Sequence, residues 1–331
     1  MAITPRDKRK KDPQYALKTL LAGGVAGCMA KSAVAPLDRV KILFQANQPH
    51  FQKYSGSVLG VFRASREIFS SRGLLGLFQG HSMTLLRIFP SSAIKFMSVE
   101  QYRMILMPDP SMKSHGREFV AGALAGLTSA VSTYPLDLVR VRLAYDTSVV
   151  SSGSRLWSTL RHIHSEPSYQ KRWLKLPILN FYRGCGMTLL GMVPYAGSTF
   201  WTYSVLTGLC RNAYPELTTV PPDVGPQVTN REGNPKVFLK WWAELVCGGL
   251  AGAMGQTVSY PIEVVRRRIQ VAGAMGHSAY TTPGRIIKEI YATKGIRGFF
   301  VGLSIGYIKV TPMFAIAFFV YEEMKQFLRI D

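Results

Sequence analysis

The chain has 331 residues, of which 47% are hydrophobic and only 18% charged, with a mean hydropathy of +0.09. Forty Lys plus Arg oppose nineteen Asp plus Glu, a formal charge of +21. This balance rules out a disordered tail protein and argues against a highly charged soluble helical protein. A nucleic-acid binder would not carry so much apolar sequence, whereas a membrane protein that handles anions would carry both features. Residues 1–16 form a basic segment, Arg6 and Lys8 to Lys11 interrupted by Asp7 and Asp12, without the apolar core of a secretory signal. Apolar patterning then predicts six long helices, at about 17–45, 81–105, 117–145, 185–209, 239–271 and 302–328. Shorter connector helices are expected near 57–70, 154–165 and 283–293. A Pro-rich stretch at 213–237 separates the fourth and fifth long helices and reads as a loop.

These elements carry markers in threes. Gly23/Gly27, Gly122/Gly126 and Gly248/Gly252 are each followed, thirteen residues after the first glycine, by Pro36, Pro135 and Pro261. Two residues beyond each proline stands an acid (Asp38, Asp137, Glu263), and three residues later a base (Lys41, Arg140, Arg266). An aromatic-x-Gly triplet follows as Phe78-Gln79-Gly80, Tyr182-Arg183-Gly184 and Phe300-Val301-Gly302. The next long helix holds a second proline, at Pro90, Pro194 and Pro312. Three modules result, 17–110, 111–212 and 238–331. Proline inside a helix removes a backbone hydrogen bond and bends the axis, so six such prolines in register read as hinges.

Other chemistries fit poorly. The four cysteines form no CxxC pair and lie in apolar stretches, so they are expected to be reduced and buried; the six histidines are scattered, and no metal site or cofactor is expected. No GxGxxG, Walker A motif, zinc cluster or serine elbow is present, so the chain does not read as an enzyme.

The triplicated P-x-[DE]-x-x-[KR] pattern with its later aromatic-x-Gly resembles the mitochondrial carrier family over essentially the whole chain outside the N-terminus and the Pro-rich loop. The resemblance implies an all-α membrane protein: six tilted transmembrane helices in a threefold pseudo-symmetric barrel, with three short matrix helices. It further implies a monomer in the mitochondrial inner membrane with both termini toward the intermembrane space, and alternating access to one central cavity. Asp38, Asp137 and Glu263 would pair with Lys41, Arg140 and Arg266 as a matrix gate, braced by Gln45 and Gln270. The second module has Ala144 at the brace position, the first replaces the motif's last base with Leu43, and the usual acidic-Gly pair becomes Arg72-Gly73 and Lys294-Gly295. A cytosolic gate would use Glu100, Arg103, Glu322 and Lys325. The second module offers only Ser204 and Thr207 there, so that gate is expected to be electrostatically weak.

By the same resemblance, substrate contacts fall three residues before the even-helix prolines, at Arg87, the pair Gly191-Met192, and Lys309. Arg87 and Lys309 have no acid nearby in sequence, and two such cations make an anion site, arginine adding a fork suited to phosphate. Gly191 with Met192 suits a flat heteroaromatic ring, although Gly-Met in an apolar helix is also ordinary packing. Lys95 and Lys31 are further candidate contacts. The segments Ala30–Lys41 and Arg87–Met97 look like the coenzyme A carriers and the related Graves disease carrier. They imply coenzyme A as cargo, exchanged for an adenine nucleotide or a related phosphate compound, with the pantetheine arm near Tyr195 and Tyr203. Adenine nucleotide carriers, and a membrane structural protein that transports nothing, remain the alternatives. Cardiolipin or another anionic lipid is the expected lipid partner, and a basic insertion at 167–178 is a candidate contact.

Overall fold

The computed structural model describes residues 13–109, 114–147, 152–166, 176–220, 238–274 and 282–328. Within these, the chain is helical apart from an isolated bridge between Thr219 and Leu239. The first module comprises α1 (Pro13–Gln45), α2 (Val58–Leu77) and α3 (His81–Leu106). The second comprises α4 (His115–Tyr145), α5 (Ser152–Ser165) and α6 (Cys185–Ala213). The third comprises α7 (Trp241–Val271), α8 (Pro283–Lys294), α9 (Leu303–Ile308) and α10 (Val310–Leu328). Residues 1–12, most of the 167–178 insertion and 221–237 lie outside the described residues.

Two expected elements differ. The helix expected over 302–328 divides at Lys309 into α9 and α10. Pro312 has no N–H to offer the carbonyl of Ile308, and its ring crowds that carbonyl, so the ladder fails at that place. Pro36, Pro90, Pro135, Pro194 and Pro261 lie inside uninterrupted helices. The connector helix expected at 57–70 extends to Leu77 across Gly73, whose φ of 65° and ψ of −165° mark a break between two merged pieces. Gly295, at φ 58° and ψ −153°, ends α8 in the same conformation. The aromatic-x-Gly glycines share a left-handed backbone, with φ of 84°, 85° and 84° at Gly80, Gly184 and Gly302. At Gly80 a side chain would also meet the carbonyl of Arg140 at 2.8 Å, so both backbone and space require glycine.

The chain separates into two compact units, Met1–Cys185 with Val264–Asp331, and Gly186–Glu263. In the first unit α3 packs along α4, and α10 along α1. Its most deeply buried side chains gather where the C-terminal halves of α1 and α4 meet the connector helices. Val40, Leu43, Phe44, Val61, Ala64 and Ile68 form one cluster, and Tyr134, Leu138, Val139 and Ile163 form another. A third joins Ile42 and Ala46 of α1, Val141 and Ala144 of α4, and Val271 of α7. Elsewhere the long helices expose large apolar residues, among them Leu20, Phe96, Met97, Phe119, Phe318 and Phe319. In water such surfaces would drive association; in lipid they are the solvated face. By length and composition, Lys18–Gln45, Gly116–Tyr145 and Ile296–Leu328 each suffice to cross a membrane.

A buried polar cluster holds α5 against α4 in the second module. Glu166 accepts from both terminal nitrogens of Arg142, at 2.6 and 3.1 Å, and lies 3.0 Å from Arg183. The side chains of all three are almost inaccessible. Asn180 donates to the carbonyls of Ile163 and Glu166 at 3.1 and 2.9 Å, which closes the turn. The equivalent places in the other modules hold Leu43, Arg72 and Gln79, and Arg268, Lys294 and Val301. There the base replaces the acid: Arg72 donates to Gln79 and to the carbonyl of Asp146, and Lys294 to Asn47 and Ser55. Burial, and then the nearby Arg268, hold the Lys294 ammonium below its usual pKa. Replacing Glu166 by Ala strands two buried guanidinium groups and is expected to cost about 3–5 kcal/mol. A thermal unfolding midpoint in detergent equal to that of the unaltered protein would contradict this.

Candidate functional site

Four helices of the first unit bring charged side chains together around two carboxylates. Asp38, two residues past the proline of α1, accepts from Arg140 Nη2 of α4 at 2.9 Å and from Lys309 Nζ at 2.8 Å. Asp137 of α4 accepts from Arg87 Nη1 of α3 at 2.8 Å, and its other oxygen accepts from Arg266 of α7. Arg267 lies 3.6 Å from that second oxygen, and Gln270 Nε2 donates to it at 3.3 Å. Two carboxylates thus face five cations. The excess favours any anion that approaches, because each carboxylate neutralises at most one of its partners.

A polar chain braces this cluster from beneath. Gln270 Nε2 also donates to the Tyr134 hydroxyl at 3.0 Å, its amide oxygen accepts from Arg267 at 3.0 Å, and Tyr134 donates to the carbonyl of Arg183 at 2.7 Å. Arg142 additionally donates to the backbone carbonyl of Gln270. Gln45, the counterpart in the first module, is equally buried, yet neither atom of its amide has a hydrogen-bond partner among the described residues. A small cavity beside Asp38 is lined by Arg39, His81, Thr84 and Arg140, with Ser32 Oγ 2.8 Å from His81 Nε2.

The sequence-identified residues fall into several groups. Asp38, Arg140, Asp137, Arg266, Gln270, Arg87 and Lys309 lie in the one network. Arg87 and Lys309, without acids nearby in sequence, are each hydrogen-bonded to a carboxylate contributed by another helix. Asp137 is 4% exposed while its partner Arg87 is 36% exposed, so this guanidinium reaches from a buried acid toward open surroundings. Lys31 of α1 sits 3.5 Å from the sulfur of Met313, and Lys95 of α3 is exposed. Lys41 is buried on α1, and Glu263 closes the second unit on α7. Within that second unit, Gly191 faces Ile262 so closely that an added side chain would meet it at 3.2 Å, while Met192 stays 37% exposed. The absence of a side chain at Gly191 lets α6 lie close to Ile262 of α7, while Met192 of the pair presents an exposed surface.

At the opposite helix ends the charges make local pairs. Lys325 lies 3.0 Å from Glu322 one turn away on its own helix, and Arg103 stands 4.0 Å from Glu118 at the start of α4. Glu100 is exposed. Among the described residues Lys325 thus engages an i,i+3 partner on its own helix, and Arg103 an acid of the neighbouring α4. Sequence reasoning missed Arg267 and the Arg142–Glu166–Arg183 cluster. The signal was present: Glu166 occupies the position of Arg72 and Lys294, but Pro167 follows it instead of glycine.

Six long helical segments in three repeats, with surface helices between them and a charged network joining helices of different repeats, define a triplicated membrane transport protein. Residues 12–110, 111–213 and 238–331 each match the mitochondrial carrier protein family. The chain belongs to that family: it is a multi-pass transporter of the mitochondrial inner membrane, and its members are not enzymes. It is 46% identical to the mitochondrial carrier protein LEU5 of Saccharomyces cerevisiae, over 94% of this chain and 90% of that one. Human solute carrier family 25 member 16 is 39% identical over 96% and 90% of the two chains. The mitochondrial carrier protein CoAc1 of Arabidopsis thaliana is 35% identical over 95% and 90%.

Asp137→Ala leaves Arg87, Arg266 and Arg267 facing one another and is expected to lower stability by about 3–5 kcal/mol. Glu322→Ala, at an exposed pair, should change stability by no more than about 0.5 kcal/mol. Thermal unfolding of the two purified variants in one detergent ranks them, and comparable losses would refute the difference in burial as the deciding factor.

Proposed function

We propose that this carrier imports coenzyme A into the matrix by alternating access, in exchange for an adenine nucleotide or a related adenine phosphate. The observation that carries the proposal is the double engagement of Arg87 and Lys309. Each cation holds a carboxylate of the proposed matrix gate, and each carries the chemistry to hold a phosphate. A phosphate oxygen arriving at Arg87 competes with Asp137 for the same guanidinium, and one arriving at Lys309 competes with Asp38. Charge-assisted hydrogen bonds of this kind contribute about 1.5–3 kcal/mol each. Cargo with several phosphate groups therefore offsets much of the loss when both gate carboxylates surrender a partner. Release reverses the exchange, and the carboxylates recapture their cations.

Coenzyme A fits this chemistry because it combines several phosphate charges with an adenine ring. Lys95 and Lys31 are the proposed additional phosphate contacts, and Met192 is the proposed adenine contact on the resemblance alone. Gln45 and Gln270 are the proposed braces, and Glu100, Arg103, Glu322 and Lys325 the proposed weak cytosolic set. The plant relative CoAc1 carries the cargo's abbreviation in its name, which supports the same reading.

Protein-dependent uptake of radiolabelled coenzyme A into liposomes tests the proposal, with adenosine 3′,5′-bisphosphate, ADP or nothing preloaded. Uptake is expected, and Arg87→Ala or Lys309→Ala should reduce it by about tenfold or more, from the loss of one charge-assisted contact. Brisk ADP or ATP exchange without coenzyme A uptake would overturn the cargo assignment while keeping the carrier.

A further inference from the structure

In the second unit, α6 and α7 run antiparallel in close contact. Gly255 of α7 lies under Tyr195 and Thr199 of α6, with no room for a side chain at that glycine. Nearer the end where α6 stops and α7 starts, the Tyr203 hydroxyl reaches Glu244 at 3.5 Å. One step further, Cys210 Sγ of α6 stands 3.6 Å from Cys247 Sγ of α7. The helix register set by Gly191, Gly255 and their neighbours thus delivers two thiols from different repeats to one point. Cys247 is buried, whereas Cys210 is only partly covered and lies three residues before the last residue of α6. The Thr218 hydroxyl donates to the carbonyl of Cys210 at 2.6 Å, which holds the turn after α6 beside the pair.

We propose that Cys210 and Cys247 form a dithiol modification site that a low-molecular-weight disulfide such as oxidised glutathione converts to an intrachain disulfide stapling α6 to α7. The chemistry balances in two exchanges. The Cys210 thiolate, the accessible sulfur, attacks one sulfur of oxidised glutathione, forming a mixed disulfide and expelling a glutathione thiolate, which takes up a proton. The Cys247 thiolate then attacks Cys210 Sγ and expels the second glutathione. Both protein thiols lose a hydrogen, and the oxidant leaves as two molecules of reduced glutathione. Closing the sulfurs from 3.6 Å to the bonded distance of about 2.05 Å needs side-chain rotation and a small approach of the helices. Cys28 and Cys185 have no thiol partner among the described residues. The link would join the second repeat to the third and resist their separation.

The full-length protein in detergent, treated with oxidised glutathione or with dithiothreitol, tests this by peptide mapping and thermal unfolding. The expected result is a linked Cys210–Cys247 peptide in the oxidised sample, absent after dithiothreitol and absent in Cys210→Ser and Cys247→Ser. The unfolding midpoint should rise on oxidation of the unaltered protein and stay fixed in Cys210→Ser. Phenylarsine oxide, which bridges paired thiols, should protect both cysteines of the reduced protein from alkylation. Two freely alkylated thiols after oxidation, or a link involving Cys28 or Cys185 instead, would overturn the assignment. A Cys210–Cys247 link that leaves the midpoint unchanged would overturn its role as a staple. None of these readouts depends on the identity of the cargo.

Discussion

Asp137 is the constraint on which the rest of this structure depends. Its carboxylate is almost fully withdrawn from water, and an ionised acid so placed is tolerated only with close cations and additional hydrogen bonds. Arg266 and Arg267 arrive from α7, Arg87 from α3, and the Gln270 amide fills a further position. Two helices, α3 and α7, are thereby required to converge on the C-terminal half of α4. Their convergence buries Tyr134 and brings the backbone of Arg183 to its hydroxyl. Asp38 repeats the arrangement with fewer partners, Arg140 and Lys309, and is less deeply covered. Both acids have one cation from a long helix after a proline signature and another from three residues before an even-helix proline. The electrostatic arrangement around the two acids therefore draws on the cations proposed to hold cargo.

The three repeats solve one packing problem with different charges. Only the second retains the acid at the end of its connector helix, and only there do bases stand at both facing positions, Arg142 and Arg183. The first repeat replaces the acid with Arg72 and neutralises both facing positions, as Leu43 and Gln79. The third replaces it with Lys294 and keeps one base, Arg268, beside Val301. Burying three cations together would carry a prohibitive desolvation and repulsion cost, so loss of the acid goes with loss of bases. Gly73 and Gly295 keep the same left-handed turn in both altered repeats. Backbone geometry has survived where the electrostatic pairing changed.

The helical framework was legible because its marks are local and repeated. Helix ends near Gln45, Tyr145 and Val271 follow from the proline-acid-base spacing, and the aromatic-x-Gly triplets mark the left-handed caps at Gly80, Gly184 and Gly302. The pairing of Arg87 with Asp137 and Lys309 with Asp38 was not legible. Each partner lies far away in sequence and on another helix, so a search for nearby acids finds none. The break at Lys309 was hidden for another reason: the two prolines at equivalent positions, Pro90 and Pro194, leave their helices continuous. The close approach of Gly191 to Ile262 was not legible either, because that contact is tertiary. Glu166 escaped notice because the residue after it is proline and not glycine.

The central claim is that a gate carboxylate and a cargo phosphate compete for one guanidinium. The direct test is the affinity of coenzyme A for the unaltered protein and for Asp137→Asn, measured by calorimetric titration in the same detergent and salt. Neutralising the competitor should free Arg87 and tighten binding several-fold. Unchanged or weaker binding by Asp137→Asn, with the helical content intact, would contradict the competition.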